Sequence, residues 1–466
     1  MPAKPKTSQQ RVYERLRKVK PTGSAANKAM FEVARSADEI PSRVEYVLTT
    51  GLRPYDDLVG GMPFGRTVEM YGLPACGKSA MAIRCAVRAW NGEVHRRSYV
   101  NGKWKLEKLP QKWKKNAKEV NGGHWERDYD MTILFIDNEQ SLDDSESITV
   151  DGIRIDVVLA RCNTVELIFK MVDETLQVLK TVEKETKRKQ FVLIVCDTIA
   201  GTSSKEELNA DWGKDDFPRQ PKQLRQGFRK LTQDIARQNV CFICTNQCST
   251  NFAPAPKGVP QPNHTKFIPF GGGAVGYHAT HRLFMHPYDS KFTLVKGAKF
   301  ASGILVGFFS KKNRLRKPAR EGRLVVYFGD SEGKGGGLND DYSVLETLCY
   351  LGFAVKNKQG NGTISFRFAY YGVELTTFGG AEPKSAKDLE DEELSELPTT
   401  RGGSKNPEIK NRLAWPAFYQ AHKADCDALW EAAVAFAFSE ECVPPPDDDV
   451  VSMADIAELE DELEPE

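Results

Sequence analysis

The stretch Thr67-Val-Glu-Met-Tyr-Gly-Leu-Pro-Ala-Cys-Gly-Lys-Ser79 decides the fold of this chain. Its first five residues are β-prone, Gly72–Ser79 fits the phosphate-loop pattern G-x-x-x-x-G-K-[ST], and Ala80–Trp90 is rich in helix formers. Backbone N–H groups at the start of such a helix cradle phosphate oxygens. A strand, a glycine loop and a helix in this order therefore predict a phosphate-binding site in an α/β fold.

Two side chains of this loop carry most of the expected chemistry. Lys78 should reach the β- and γ-phosphates of a nucleotide, and the Ser79 hydroxyl should hold Mg²⁺. A glycine turn without a ligand is the alternative, and the strand–loop–helix context disfavours it. The predicted nucleotide-binding residues are Gly72, Leu73, Pro74, Ala75, Cys76, Gly77, Lys78, Ser79 and Ala80.

Apolar runs recur along the chain and alternate with segments that are compatible with helices. The runs are 132–137, 155–159, 191–197 and 240–245, and the helical segments are 164–187 and 220–238. Strands that alternate with helices predict a mostly parallel, three-layer α/β sheet. Three later runs, 283–285, 303–309 and 323–328, are expected to be antiparallel strands.

Acidic residues end two of these runs. Asp197 is the expected carboxylate behind Mg²⁺, because phosphate-loop enzymes need an acid to organise the metal. Asp137 and Glu139 end an earlier run, and ligands bind at the carboxyl edge of an open α/β sheet. Glu139 is the candidate base for the attacking water. Each of these acids could instead only cap a following turn or helix.

A neutral amide and a glycine-rich loop follow the run at 240–245. Gln247 could hydrogen-bond a γ-phosphate and report its loss. The loop Cys248–Gly273 carries aromatic rings, which stack on the bases of single-stranded DNA, and lysines nearby. A disordered surface insertion is the alternative. The candidate DNA-binding residues are Phe252, Lys257, Lys266, Phe267, Phe270, Gly271 and Gly272.

Composition excludes several classes of protein. Of 466 residues, 40% are hydrophobic and 28% are charged, so a folded chain of several domains is expected. No apolar run approaches the ~18 residues of a membrane helix, and the N-terminus lacks the apolar segment of a secretory signal. Ten cysteines in a chain of this length are typical of reduced thiols. We therefore expect a cytoplasmic protein with no membrane partner.

The net charge of +1 hides a strong asymmetry. Residues 94–118 hold nine Lys or Arg and one acid, whereas residues 439–466 hold twelve acids and no Lys or Arg. This pattern indicates a nucleic-acid binder whose acidic tail competes for the same surface, with Trp104 and Trp113 available for base stacking. A solvated hairpin and a solubilising tail are the alternative.

Together these motifs resemble the RecA-like strand-exchange recombinases, and most closely the phage recombinases of the UvsX type. The resemblance runs in chain order over residues 45–335. The segments that carry it are 49–51, 60–61, 65–66, the phosphate loop, 135–139 with 142–143, 197–198, 246–247, 271–273, 312–314 and 327–329. Beyond this region, 345–355, 415–419 and the tail at 455–464 resemble the phage proteins.

The resemblance implies a DNA-dependent ATPase that uses ATP and Mg²⁺. Such a protein forms helical homo-oligomeric filaments on single-stranded DNA and catalyses homologous pairing with double-stranded DNA in recombination, DNA repair and replication. Single-strand-binding and loader proteins are the implied further partners. The implied setting is the host bacterial cytoplasm or nucleoid.

The resemblance also implies roles for individual residues. Asp143 contacts the adenine, and Gln247 couples the γ-phosphate to the second DNA loop. The first DNA loop lies near 208–219 and contains Trp212 and Arg219. Lys312 and Arg314 reach the ATP of the neighbouring subunit and stabilise transition-state charge in trans.

The expected organisation has four parts. Residues 1–45 form a short helical oligomerisation arm, and residues 46–335 form a RecA-like ATPase core interrupted by a basic insertion at 91–130. Residues 336–438 form a small α+β C-terminal domain, and residues 439–466 form a disordered acidic tail. A hexameric helicase of the same fold and a DNA-coating filament without catalysis remain alternatives. The glycine-rich loop favours the recombinase over the helicase, and intact Lys78 and Glu139 argue against an inactive ATPase.

Overall fold

The structure is a computed structural model, and it describes most of the residues between 44 and 439. The described ranges are 44–100, 103–115, 123–140, 149–150, 153–155, 157–208, 220–251, 263–292, 301–328, 336–358, 364–368, 408–409 and 412–439. The predicted N-terminal arm up to residue 43, the acidic tail from residue 440, Asp143, and the first-loop residues Trp212 and Arg219 lie outside them. So do Phe252 and Lys257 of the second loop.

The described strands and helices are numbered in chain order. The strands are β1 Tyr46–Leu48, β2 Met62–Pro63, β3 Arg66–Gly72, β4 Val94–Val100, β5 Lys103–Lys108, β6 Gln111–Lys115, β7 Gly123–Arg127, β8 Tyr129–Asp137, β9 Thr149–Val150, β10 Ile153–Arg154, β11 Val158–Ala160, β12 Lys189–Asp197, β13 Asn239–Thr250, β14 Phe267–Pro269, β15 His281–Phe292, β16 Gly303–Lys312, β17 Glu321–Tyr327, β18 Gly337–Asn339, β19 Ala354–Lys358, β20 Ile364–Phe368 and β21 Glu408–Ile409. The α-helices are α1 Arg53–Val59, α2 Lys78–Trp90, α3 Val165–Thr186, α4 Lys205–Leu208, α5 Gln220–Arg237, α6 Asn263–Lys266, α7 Gly273–His278, α8 Asp340–Tyr350, α9 Trp415–Ala421 and α10 Lys423–Ala437, and Arg412–Ala414 is a 3₁₀ turn.

The central sheet is mostly parallel, as predicted. Its strand order is β11-β8-β12-β13-β3-β15-β16-β17-β18. The pairs from β11 to β15 are parallel, and those from β15 to β18 are antiparallel. The prediction of an antiparallel strand at 283–285 is therefore half wrong, because β15 pairs in parallel with β3 on one side and antiparallel with β16 on the other.

Both faces of this sheet are buried, and the strand period of two sorts the side chains between them. In β12, Phe191, Leu193 and Val195 join one apolar cluster, and Val192, Ile194 and Cys196 join another. The first cluster includes residues of α2, α8 and α10, and the second includes residues of α3 and α5. The sheet is thus the middle of three layers, which explains why its strands read as continuous apolar runs.

The long helices begin and end close to their predicted bounds. Thr164 caps α3 by accepting a hydrogen bond from the Leu167 N–H at 3.2 Å, and Lys187 ends it with φ +56°. Among the described helices, none is both long and apolar enough to span a bilayer. Helix α8, just beyond the predicted boundary at 335, packs against β17 of the central sheet.

The basic insertion folds into two antiparallel hairpins. Strand β4 pairs with β1 and with β5, so the first hairpin extends a small sheet of order β2-β1-β4-β5. The second hairpin joins β6 to β7 and is anchored by Trp113, whose ring lies 5.9 Å from Trp90 and 5.0 Å from Trp125. Trp113 is half-buried in this aromatic cluster, so its ring faces protein; Trp104 is exposed, as base stacking would require.

Candidate functional site

The phosphate loop connects β3 to α2 at the carboxyl edge of the sheet. Ala75 and Gly77 adopt φ angles of +52° and +76°, and no side chain caps the N-terminus of α2. The Lys78 ammonium donates to the carbonyl oxygens of Leu73 at 2.6 Å and Gly72 at 3.2 Å. An uncapped helix N-terminus with an ammonium inside the loop is a fitting site for the phosphates of a nucleotide.

Two residues of the loop are fixed by packing. A Cβ at Gly72 would lie 1.8 Å from the Met285 carbonyl oxygen of β15, so only glycine fits there. The Cys76 thiol is buried and donates to the Leu73 carbonyl at 2.8 Å. Burial raises the pKa of Cys76, which keeps it a neutral thiol and gives it a structural role in the loop.

Four neighbouring strands end together beside this loop. Asp137 of β8 aligns with Asp197 of β12, and Gln247 of β13 aligns with Gly72 of β3. Asp197 is buried and accepts a short hydrogen bond from the Thr245 hydroxyl. The β12 strand lies two strands from β3, a lateral distance of about 10 Å. The carboxylate predicted to act behind Mg²⁺ is therefore held rigidly at the edge where the loop begins.

Glu139 and Gln247 meet at this edge. The Gln247 amide Nε2 donates to Glu139 Oε1 at 3.1 Å, and both side chains are exposed to solvent. Asp137, the other acid of the run, is fully buried. Of the two acids, Glu139 is the one that water can reach.

Asn138 holds the turn that presents Glu139, a role that no separate sequence signal predicts. Its backbone N–H donates to the Asp197 carbonyl at 2.8 Å, and its side-chain oxygen accepts from the Cys162 N–H at 3.0 Å. The turn after β8 is thereby bonded both to β12 and to the chain leading into α3.

A buried polar network beside the phosphate loop is a second feature that the sequence analysis did not predict. Asn246 Nδ2 donates to Glu69 Oε1 at 3.1 Å and to the Phe270 carbonyl at 2.9 Å. Arg282 Nε donates to Glu69 Oε2 at 2.6 Å. The signal that could have revealed it is Glu69 itself, an acid in the middle of a β-prone run. The network ties the phosphate-loop strand to the start of the glycine-rich turn.

The described part of the second loop forms a hairpin. Its two sides pair Cys248 with Pro269 and Thr250 with Phe267, and the Phe270 N–H donates to the Gln247 carbonyl at 3.0 Å. Gly271 and Gly272, with φ of +78° and +61°, then turn the chain into α7.

The structure separates the candidate DNA-binding residues of this loop. Phe270 is 44% exposed, and Lys266 is exposed on the same hairpin. The Phe267 ring instead stacks on Phe284 of β15 at 5.8 Å and is half-buried. Phe270 is therefore the better placed of the two rings to contact a base.

Arg314 lies toward the opposite, amino edge of the sheet, whereas Lys312 is aligned through Arg282 with Glu69 in the middle of β3. Arg314 is exposed and close enough to Arg66 to lower the pKa of Arg66, although burial of Arg66 is the larger cause. Arg66 begins β3 and Gly72 ends it, a separation of about 20 Å at 3.3 Å per residue. Arg314 is thus remote from the phosphate loop of its own chain.

The Lys312 ammonium is held by backbone. It donates to the carbonyl oxygens of Gly276 at 2.8 Å and Tyr277 at 3.2 Å, at the end of α7. Burial, followed by the charges of Arg314 and Arg282, lowers the pKa of Lys312. Lys312 therefore lies among cations, of which Arg282 is ion-paired with Glu69 at 2.6 Å.

The fold is a RecA-like sheet that carries a phosphate-loop sequence at its carboxyl edge. The family model of the RecA N-terminal domain matches residues 126–331, a range that begins within β7 of the second hairpin. Over this region the chain is similar to the RecA family.

Curated relatives also show similarity to RecA proteins. Protein RecA of Xanthomonas euvesicatoria pv. vesicatoria is 24% identical over 310 residues, which cover 66% of this chain and 74% of the relative. Protein RecA of Thermus thermophilus is 25% identical over 293 residues, covering 62% and 69%. The mitochondrial DNA repair protein recA homolog 3 of Arabidopsis thaliana is 25% identical over 271 residues, covering 58% and 50%.

Proposed function

We propose that this protein is an ATP-dependent recombinase that forms helical filaments on single-stranded DNA and catalyses homologous pairing and strand exchange. One observation carries the proposal. Gln247 is hydrogen-bonded to Glu139, aligned with the first glycine of the phosphate loop, and bonded through its carbonyl to Phe270 of the second loop. A single residue therefore links the nucleotide edge to the candidate DNA-binding hairpin.

The nucleotide would be bound by the phosphate loop, where Lys78 turns from the loop carbonyls to the β- and γ-phosphates. Mg²⁺, held by Ser79 with Asp197 behind it, would neutralise charge on the phosphate oxygens. Glu139 would accept a proton from the attacking water or orient it, since it is the exposed acid at this edge. Asp143, which lies outside the described residues, is proposed to contact the adenine.

In this proposal the Gln247 amide can donate to either of two acceptors: Glu139, which it bonds in this structure, or the γ-phosphate of bound ATP. Bonding to the phosphate would pull the end of β13, and with it the hairpin that begins at Cys248. The glycines at 271 and 272 provide a turn at the other side of that hairpin. ATP would thus set the position of the second loop, and DNA in that loop would in turn set the position of Gln247.

Lys312 and Arg314 would complete the ATP site of the neighbouring subunit. Arg314 lies near the amino edge, about 20 Å from the phosphate loop of its own chain, and this position supports action in trans. Stacking subunits with the amino edge of one against the carboxyl edge of the next would repeat head to tail, which generates a helical filament when the ring does not close. A closed ring is the arrangement of the alternative, a hexameric helicase.

We propose further that the protein is a phage-type member of the family that works with single-strand-binding and loader proteins. The segments 345–355 and 415–419 support this subtype by their sequence, and the structure shows what they do locally. Leu345 and Trp415 are fully buried, and Trp415 Nε1 donates to the Asp341 carbonyl at 2.7 Å.

A strand-invasion assay tests the proposed function. The full chain is given a single strand and a homologous supercoiled duplex with ATP, with ADP, or with a non-hydrolysable ATP analogue. A recombinase yields joint molecules with ATP and with the analogue but none with ADP. Closed rings in electron micrographs, together with duplex unwinding and no joint molecules, would instead identify the helicase. A filament that yields no joint molecules and releases no phosphate would identify the non-catalytic coat protein.

A further inference from the structure

The first inserted hairpin, β4 with β5, lies beside the segment that carries Arg314. Arg97 Nη2 of β4 donates to the carbonyl of Leu315, the residue after Arg314, at 3.4 Å. The same guanidinium lies over the Trp104 ring at 3.9 Å from its centroid. Only two contacts therefore separate the Trp104 ring from the backbone next to Arg314.

One face of this hairpin is apolar and open. Arg97 aligns with Leu106, and Trp104 precedes Leu106 by two residues, so these three side chains share a face that we call the β5 face. Trp104 is 38% exposed and Leu106 is 42% exposed. Within the described ranges β5 pairs only with β4 and is the edge of its sheet. Large apolar side chains on an edge strand favour association with another chain.

We propose that the β5 face binds a second copy of this chain, in the same interface that brings Arg314 to the neighbour's phosphate loop. The inference rests on the proposed function, because it assumes that Arg314 acts in trans. A standard interface covers about 800 Å² on each partner, which is a patch of about 16 Å radius. A contact that seats Arg314 against the neighbour's nucleotide must then cover the β5 face as well.

The chemistry of the β5 face fits a protein partner better than a nucleic acid. The cations on this side are already engaged: Arg97 by Trp104 and the Leu315 carbonyl, and Lys108 by Glu93 at 2.6 Å. Trp and Arg are the residue types that contribute most at protein interfaces. Lys105 is exposed on the other face of β5, where contacts with phosphates would be made without the apolar pair.

The interface also explains why the insertion begins where it does. It follows α2 at the amino edge, and Arg97 lies close enough to His281, the first residue of β15, to help lower the pKa of that buried imidazole. The hairpin is therefore anchored to the same edge that presents Arg66 and Arg314. An insertion at this point widens the surface offered to a neighbour and leaves the neighbour's own nucleotide edge unobstructed.

Self-association of the full chain tests the proposal. Sedimentation velocity is run with ATP and Mg²⁺ over a range of protein concentrations, without DNA and with a poly-dT strand. We expect Trp104→Ala and Leu106→Ser each to raise the concentration of half-maximal association about tenfold or more. Lys105→Ala, on the opposite face of the same strand, should leave it unchanged. Both apolar side chains are more than a third exposed, so the variants should keep the wild-type midpoint of thermal unfolding.

Two results would overturn the proposal. Variants that associate at the wild-type concentration would show that the β5 face is not covered in the assembly. Unchanged association without DNA, combined with weaker binding of poly-dT, would assign the face to nucleic acid instead. A wild-type chain that forms no assembly under any of these conditions would overturn the proposed filament itself, which is a different outcome from failure of the β5 face alone.

Discussion

The two edges of the central sheet are chemically opposite. At the carboxyl edge, complementary groups from one chain meet: Gln247 bonds Glu139, and Thr245 bonds Asp197. Toward the amino edge, cations lie near other cations, and burial together with the charge of Arg314 lowers the pKa values of both Arg66 and Lys312. Glu69 is ion-paired with Arg282 at 2.6 Å, and like charges gathered beside it disfavour one another unless a further anion is brought to them. This difference supports the proposal that the carboxyl edge binds a nucleotide and that Arg314 meets a nucleotide bound by another subunit.

Removal of the phosphate-loop lysine should have the largest effect. Lys78→Ala takes away the cation that meets the β- and γ-phosphates, so DNA-stimulated ATP hydrolysis should fall by at least about 10³-fold and joint molecules should disappear. Phosphate release and strand invasion are the measurements. Lys184→Ala, at an exposed position in the last turn of α3, is the matched control and should behave as wild type. ATP hydrolysis retained in Lys78→Ala would contradict the proposal that the carboxyl edge is the nucleotide site.

Neutralising Glu139 should separate binding from chemistry at that edge. Glu139→Gln keeps the size of the side chain but removes its basicity, so hydrolysis should fall about 10²- to 10⁴-fold while ATP binding and filament formation persist. Fluorescent-nucleotide titration and electron microscopy check the two retained properties. Glu174→Gln, at an exposed acid on α3, serves as control. Hydrolysis at the wild-type rate would show that another group activates the water.

The amino edge should respond differently. Arg314→Ala or Lys312→Ala should leave ATP binding by a single subunit intact, because Arg314 is remote from the phosphate loop of its own chain and the Lys312 ammonium is bonded to the carbonyls of Gly276 and Tyr277. Each change should lower DNA-stimulated hydrolysis by about 10²-fold, since one donor to the transition state is lost. Lys311→Ala is the control, as its ammonium bonds the His264 carbonyl at 3.2 Å and it neighbours Lys312 on the same strand. Loss of ATP affinity in dilute, unassembled Arg314→Ala would contradict action in trans.

Deleting the acidic tail should have the smallest effect, because the tail is expected to act only on the basic surface of the protein. Its twelve carboxylates between 439 and 466 can occupy basic surface such as that around 94–118, so deleting the tail should strengthen DNA binding several-fold at low salt. The gain should shrink as salt rises, and less Mg²⁺ should be needed for pairing. DNA affinity measured across a salt series checks this. Unchanged affinity and an unchanged Mg²⁺ optimum at low salt would leave the tail a solubilising role only.

Much of the fold could be predicted because its signals are local. The helix predicted at 164–187 is Val165–Thr186 with its cap, and the one at 220–238 is Gln220–Arg237, since periodicity and capping lie within each segment. The direction of β15 could not be predicted, because its parallel partner β3 is more than two hundred residues away in the chain. A run of three apolar residues carries no information about a pairing partner so far away in the sequence.

The candidate site shows the same division between features set by local sequence and features set by the pairing of distant strands. Strand ends predicted correctly that Asp197, Glu139 and Gln247 share an edge, but not that Glu139 and Gln247 are in contact. The stacking of Phe267 on Phe284 and the Glu69–Asn246 bond depend on which strands are neighbours, so the composition of the loop alone could not show which aromatic rings are exposed. The remoteness of Arg314 from its own phosphate loop likewise follows only from the register.

Mixed assemblies test the central claim that the two edges form one site between subunits. Arg314→Ala subunits keep an intact phosphate loop, and Lys78→Ala subunits keep an intact Arg314, so each variant alone should hydrolyse ATP poorly. In a filament that contains both, an Arg314→Ala loop can lie against the Arg314 of a Lys78→Ala neighbour. We predict that adding excess Lys78→Ala protein to Arg314→Ala protein on poly-dT partly restores phosphate release, above the sum of the two alone. Co-assembled filaments that show no rescue at any ratio would contradict the account.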